Sequence, residues 1–400
     1  MPPKQKKGPK PNRPQRPAVE EDLDALLAAF TAKASTKPPP PPPVAAGPPA
    51  PPAPAVPATL FPPSATVVWT CAFCYTATGD RPRTACGSCH KRMYCSERCR
   101  AADWEPGPGQ GHRTWCPLAC GEEHVDWEVR PVAEGKGLGL VAKTPFARGA
   151  RIMVERLLRL SDVRPPAGRP EVLQAVQALM PAGAPVETKF QLNKLGGDDP
   201  DDPDGGGVCV RMSRANHQCG ANAYHTLVHD VKLLLARVPI AAGEEICIEY
   251  RPFLDPSRRP DLEQDRRILE GKWGVVCPGD CQCRRADLLA DWQRMWELDT
   301  AIMEQGRMGR TGDAFAKVKA LLRLHDRHQS AHVSYIRTLY DGVSMAVTTR
   351  KLLPEAKRLA AEAYGMALAA YGPDSPDTRK YERLRSNIAS HPNYLTLGGS

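Results

Sequence analysis

The sequence predicts an α+β protein: a β-rich central domain, a metal-stapled segment before it, a small cysteine cluster after it and an all-α region at the end. Three observations predict this. Eleven of the fourteen Cys fall in two stretches, 71–120 and 277–283. Across 126–270, short apolar runs (LGLVAKTPF, RIMVERLLRL, VKLLLARVPI, EEICIEY) alternate with Gly/Pro turns, as strands of an α+β domain do. From about Arg284 onward, apolar residues such as Leu288, Leu289, Trp292 and Trp296 recur at helical spacing.

Residues 1–66 are Pro-rich in a chain whose 42 Pro in 400 residues are about twice the usual share, so this tail is expected to be disordered. Lys4, Lys6, Lys7, Lys10, Arg13 and Arg16 supply six of the nine net positive charges. The remaining chain, at +3, is close to balance and does not favour nucleic acid as a specific ligand. The basic tail is open between a nuclear-import signal, an RNA-contacting arm and a solubilising extension. Within the tail, Leu23, Leu26, Leu27 and Phe30 share one face of a helix over residues 20–33, either a partner-binding element or a frayed helix. The N-terminus lacks the apolar core of a secretory signal, and no apolar run nears the ~18–20 residues of a membrane helix. A cytoplasmic or nuclear location is therefore expected, in which many Cys point to metal rather than disulfides.

Residues 67–120 contain Cys71-x2-Cys74, Cys86-x2-Cys89, Cys95-x3-Cys99 and His112-x3-Cys116. Seven thiols and one imidazole suffice for two tetrahedral zinc sites with no position left for a reactive water, so both are structural. About fifty such residues cannot hold a fold by hydrophobic burial alone, and metal binding must supply folding free energy. Cys120 and His90 are surplus.

Three pieces of the central segment carry chemistry. Gly135-Lys136-Gly137-Leu138-Gly139 is a turn whose amides can approach a polar ligand. Asn216-His217-Gln218-Cys219-Gly220-Ala221-Asn222 concentrates amides and an imidazole suited to hydrogen bonding. Ala242–Tyr250 reads as a turn entering a strand that ends in Tyr250. The stretch 196–207, GGDDPDDPDGGG, reads as an acidic, solvated loop. In the last region, four or five short helices in antiparallel hairpins are expected, with Pro354 opening one and Gly372-Pro373 ending it.

The first cysteine cluster, with Tyr94 before Cys95 and Trp104 before His112, resembles a MYND zinc finger. The resemblance implies interleaved ligation: Cys71, Cys74, Cys95 and Cys99 on one zinc, Cys86, Cys89, His112 and Cys116 on the other. The order G-x-G, N-H-x-C-x-x-N and G-E-E-I-x-I-x-Y resembles a SET domain, and Cys277-x3-Cys281-x-Cys283 resembles a post-SET cluster. Here the finger precedes the first glycine motif rather than interrupting the SET domain.

The resemblance to SET–MYND proteins implies a protein lysine methyltransferase that uses S-adenosylmethionine. Lys136, Gly137, Gly139, Asn216 and His217 would contact the cofactor, and Tyr250 would be the catalytic tyrosine beside it. Cys219, Cys277, Cys281 and Cys283 would hold a third zinc. The expected divisions are a tail 1–66, a finger 67–120, a SET domain 126–270, a post-SET cluster 271–286 and a helical domain 287–395. The expected partners are a substrate protein with an acceptor lysine and Pro-rich peptides or proteins docked on the finger, including the chain's own 57–62 (PATLFP), with the chain monomeric. The rival expectation is a catalytically silent scaffold that recruits proteins through the finger and the helical tail.

Overall fold

The computed structural model describes residues 71–76, 83–105, 111–118, 120–132, 137–159, 162, 170–179, 186–195, 206–228, 231–373 and 375–397. The tail 1–66 with its helix at 20–33, Lys136 and residues 196–205 of the acidic loop lie outside them.

The finger is built from a two-residue hairpin, β1 (Thr84–Ala85) and β2 (Met93–Tyr94), and a helix α1 (Glu97–Trp104). Ser96 caps α1 by accepting from the Cys99 N–H, which fixes Cys99 one turn from Cys95. A one-turn helix α2 (His112–Trp115) presents His112. The finger's core consists mainly of its own cysteines with the buried Tyr94, so little apolar area stabilises it.

The central domain contains two antiparallel sheets. In the first, β4 (Leu138–Ala142) lies between β3 (Trp127–Pro131) and a short β8 (Glu245–Ile246). In the second, β7 (Val231–Ala236) lies between β5 (Arg151–Arg156) and β6 (Ala223–Val228). All six residues of VKLLLA are buried, as the middle strand of a covered sheet should be. Leu140, Ile152, Met212, Leu234, Ile240 and Ile246 join the sheets in one core. Two short helices, α3 (Pro170–Gln177) and α4 (Val186–Asn193), flank this core.

The expected strand into Tyr250 is corrected. Regular pairing stops at Ile246, and Tyr250 lies beyond it. The Asn222 side chain takes the place of a neighbouring strand: its Oδ1 accepts from the Cys247 N–H at 2.9 Å and its Nδ2 donates to the Glu245 carbonyl at 2.8 Å. Ile248 then bridges in parallel to His217, with Gln218 N–H donating to the Ile248 carbonyl and Ile248 N–H to the Asn216 carbonyl. The chain therefore passes under the 216–222 loop instead of extending a sheet.

After α5 (Leu262–Trp273) and the second cysteine cluster come five helices: α6 (Ala286–Arg307), α7 (Thr311–His328), α8 (His332–Ala346), α9 (Leu353–Tyr371) and α10 (Pro376–Ser386). Each packs on the next. The number is as expected, but the first is longer than expected, at 22 residues. Pro354 stands in the first turn of α9, and Gly372 ends it.

Three arginines join this region to the central domain by donating to backbone carbonyls. Arg237 donates to the His328 carbonyl at 2.9 Å, Arg148 to that of Ser330 at 3.4 Å, and Arg151 to those of Leu368 and Ala369. These oxygens lie at or just beyond helix C-termini, where positive charge is favourable. Among the described residues, no helix is long and apolar enough to cross a membrane.

Candidate functional site

Three clusters of potential metal ligands form among the described residues: Cys71, Cys74, Cys95 and Cys99; Cys86, Cys89, His112 and Cys116; and Cys219, Cys277, Cys281 and Cys283. In each, the ligand atoms all lie within 4.8 Å of one another. Sulfur pairs are 3.6 Å apart for Cys74 and Cys95, 3.9 Å for Cys86 and Cys116, and 3.8 Å for Cys219 and Cys277. A tetrahedron with metal–sulfur bonds of about 2.3 Å has edges of about 3.8 Å, so the donor sets fit zinc. Burial, helped by Arg92, lowers the His112 pKa to about 4, keeping its ring neutral as a ligand requires. Cys120 is buried with its sulfur 3.5 Å from the Trp115 carbonyl, and His90 is exposed; neither joins a cluster.

The three separated motifs of the central domain meet in one place. Gly137 has φ +71°, a left-handed turn, and among the described residues nothing lies within 4 Å of where a Cβ would stand. A Cβ on Gly139 would come within 3.0 Å of both Asn216 Nδ2 and Glu245 Oε1. Asn216 Nδ2 donates to the Leu138 carbonyl at 3.2 Å and to Glu245 Oε1 at 2.8 Å, tying the glycine turn to the Asn216 loop.

Tyr250 closes the other side. Its ring centroid lies 5.4 Å from that of His217 and 5.1 Å from that of Trp273. Its hydroxyl donates to the Ala215 carbonyl at 3.0 Å. Burial raises its pKa to about 12, with Cys247 and Glu245 adding to the effect, so the phenol is neutral. His217 connects this site to the third metal cluster. Its Nδ1 accepts the Tyr250 N–H at 3.0 Å, so the ring proton sits on Nε2, 3.3 Å from Cys219 Sγ. The imidazole thus orients a candidate metal ligand and the backbone of Tyr250.

Glu249 lies half-buried beneath the same loop, accepting from the Gly220 N–H at 3.0 Å and the Phe253 N–H at 2.8 Å. Burial raises its pKa to about 7. Arg237 holds the Gly220 carbonyl at 2.7 Å and the Ala221 carbonyl at 2.5 Å, fixing the turn between Cys219 and Asn222. Beside it, a cleft of about 400 Å³ opens between the central domain and the α7–α8 turn, with Glu249, Phe253, Gln282, His328 and Ser334 among its walls.

A MYND finger model matches residues 71–116, and a SET domain model matches residues 137–251. The chain carries a MYND finger followed by a SET domain. Among solved structures, it is similar to a Plasmodium falciparum candidate histone methyltransferase, with 16% identity, a TM-score of 0.21, and coverage of 32% of this chain and 93% of that one. It is also similar to the methyltransferase domain of human PR domain-containing protein 2, with 14% identity, a TM-score of 0.19, and coverage of 32% and 78%. No curated protein is a significant match.

Glu245, Glu249 and the packing of Trp273 entered the SET site only through the fold, whereas Asn222 already closes the N-H-x-C-x-x-N motif in the sequence. Glu245 and Glu249 flank a strand-like apolar run and read as its solvated face. Trp273 packs against Tyr250 and donates from Nε1 to the Leu192 carbonyl at 2.8 Å.

Proposed function

We propose that this chain is an S-adenosylmethionine-dependent methyltransferase acting on lysine side chains of proteins. The observation that carries this reading is the convergence of Gly139, Asn216 and Tyr250, 34 to 111 residues apart in the sequence, around one site. The left-handed Gly137 turn and the close approach at Gly139 suit a ligand lying along the backbone. When bound, S-adenosylmethionine supplies a methyl group already activated on a sulfonium.

The protein's work is then alignment. An acceptor lysine, with an ordinary pKa near ~10.4, must reach the site neutral. A narrow channel beside Tyr250 and Trp273 would strip water from the amine, and that desolvation disfavours the ammonium form. Tyr250 donates its own proton to Ala215, so its oxygen lone pairs face the site as acceptors that orient the amine. A phenol with its pKa near 12 is a poor base at neutral pH, so the tyrosine positions rather than deprotonates. Gly137, Gly139 and Asn216 would hold the donor, and Lys136 joins them by sequence. His217 acts mainly through its ring bonds to Tyr250 and Cys219. Three zincs would hold the finger and the post-SET segment in place.

Calorimetric titration with S-adenosylhomocysteine tests the reading. Binding in the micromolar range, lost in Asn216→Ala, is expected; absence of binding to a zinc-replete, folded chain would leave only the scaffold reading.

A further inference from the structure

The MYND finger is fused to the SET domain through a buried charged network that ends at the Asn216 loop. Arg211 stands five residues before Asn216, and its side chain reaches into the finger. Its guanidinium donates to the Cys71 carbonyl at 2.8 Å, lies 4.7 Å from the centre of the Tyr75 ring and donates from Nε to Glu123 at 2.7 Å. Glu155, buried on β5, accepts from the Tyr75 hydroxyl at 3.0 Å. The same carboxylate accepts from the Arg211 N–H at 3.0 Å and the Met212 N–H at 2.9 Å, capping the turn Met212–Arg214 that leads into Ala215 and Asn216. A finger metal ligand and the start of the donor-binding loop therefore share two buried side chains.

We propose that Arg211 and Glu155 couple the metal site of Cys71, Cys74, Cys95 and Cys99 to methyl-donor binding, which makes the finger a positioning element of the active site as well as a docking module. This rests on the methyl-transfer reading. The physical reason is local. Tyr75 has φ +61°, a conformation that a non-glycine residue keeps only when its surroundings impose it, and the adjacent Cys74 and Cys71 do so when they share a metal. Without that restraint, Arg211 loses the Cys71 carbonyl, and Glu155 loses the Tyr75 hydroxyl. Both are buried groups that must find other partners. The Arg211 guanidinium, already 3.9 Å from Glu155, then closes on that carboxylate and pulls at the 211–214 turn, and with it the Ala215 carbonyl that holds Tyr250. The second finger site has a separate anchor, Arg92, which bonds Asp103 at 2.7 Å and Glu122 at 3.3 Å, so the coupling should be specific to the first site. By reciprocity, donor binding must steady the Cys71–Tyr75 turn.

Amide hydrogen exchange on the full-length, zinc-loaded protein tests this, with and without S-adenosylhomocysteine. The expected result is slower exchange at both 212–217 and 71–76, with 86–90 unchanged. Arg211→Gln and the milder Tyr75→Phe should abolish the response at 71–76 while 212–217 still responds, and Arg211→Gln should weaken S-adenosylhomocysteine about five-fold or more. Protection confined to 212–217 in the unmodified protein would overturn the coupling. So would a 71–76 response that survives both substitutions. Absence of calorimetric binding would instead bring down the methyl-transfer reading, and the coupling with it.

Discussion

The Tyr250 hydroxyl donates to the carbonyl of Ala215, thirty-five residues earlier, at 3.0 Å. This bond fixes the phenol against the loop that carries Asn216. Tyr250→Phe should leave the fold intact, costing about 1 kcal/mol for one neutral hydrogen bond. Methyl transfer should fall by a factor on the order of 10², the usual effect of removing one oriented polar group from an active site. Thermal melting alongside initial rates separates the two effects.

Gly139 has no room for a side chain. A Cβ would stand 2.9 Å from Val132 Cγ1 and 3.0 Å from Asn216 Nδ2 and Glu245 Oε1. Gly139→Ala should destabilise the domain by about 1–3 kcal/mol and displace Asn216. Denaturant unfolding and calorimetric titration with S-adenosylhomocysteine should show both losses. A variant that binds as tightly as the parent would show that Asn216 does not depend on this contact.

Elemental analysis of the purified chain should find three zinc ions, one for each ligand cluster. Cys277→Ser should reduce the count to two and loosen the segment around Trp273, since Cys277 and Cys219 join α5 and Trp292 in one core. An unchanged count would separate Cys277 from the metal.

Glu249 gives a pH dependence of defined sign. Burial raises its folded pKa from 4.5 to about 7. Below about pH 4.5 the carboxyl is protonated in both states and has no differential effect. Between about 4.5 and 7 the unfolded chain releases the proton that the folded chain keeps, so stability falls as pH rises, by up to about 3 kcal/mol. Unfolding free energies across this window should slope downward more steeply in the parent than in Glu249→Gln. Equal slopes would mean that the Gly220 and Phe253 N–H donors already hold the carboxylate ionised.

Legibility in the sequence follows the range of the interactions. The finger's eight candidate ligands could be read because C-x2-C and C-x3-C spacing is local chemistry, while their interleaved grouping came from the resemblance. Cys219 lies 58 residues from Cys277, and only the resemblance joined them before the fold did. The boundaries of α9 followed from Pro354 and Gly372, whose backbone constraints need no tertiary context. The segment leading to Tyr250 was misread because its partner beyond Ile246 is the Asn222 side chain rather than a strand. The bonds of Arg148, Arg151 and Arg237 to the helical region had no sequence signal, since a carbonyl acceptor can belong to any residue. His217 illustrates the same limit: its position in the motif was informative, but the use of both ring nitrogens was not visible without Tyr250 and Cys219 beside it.

The most direct test is transfer itself. The zinc-loaded chain would be incubated with isotopically labelled S-adenosylmethionine and a heat-inactivated proteome, and modified peptides located by mass spectrometry. The account predicts label on lysine Nζ of one or a few proteins, lost in Tyr250→Phe. Donor binding without any labelled lysine, or equal labelling by the phenylalanine variant, would contradict it.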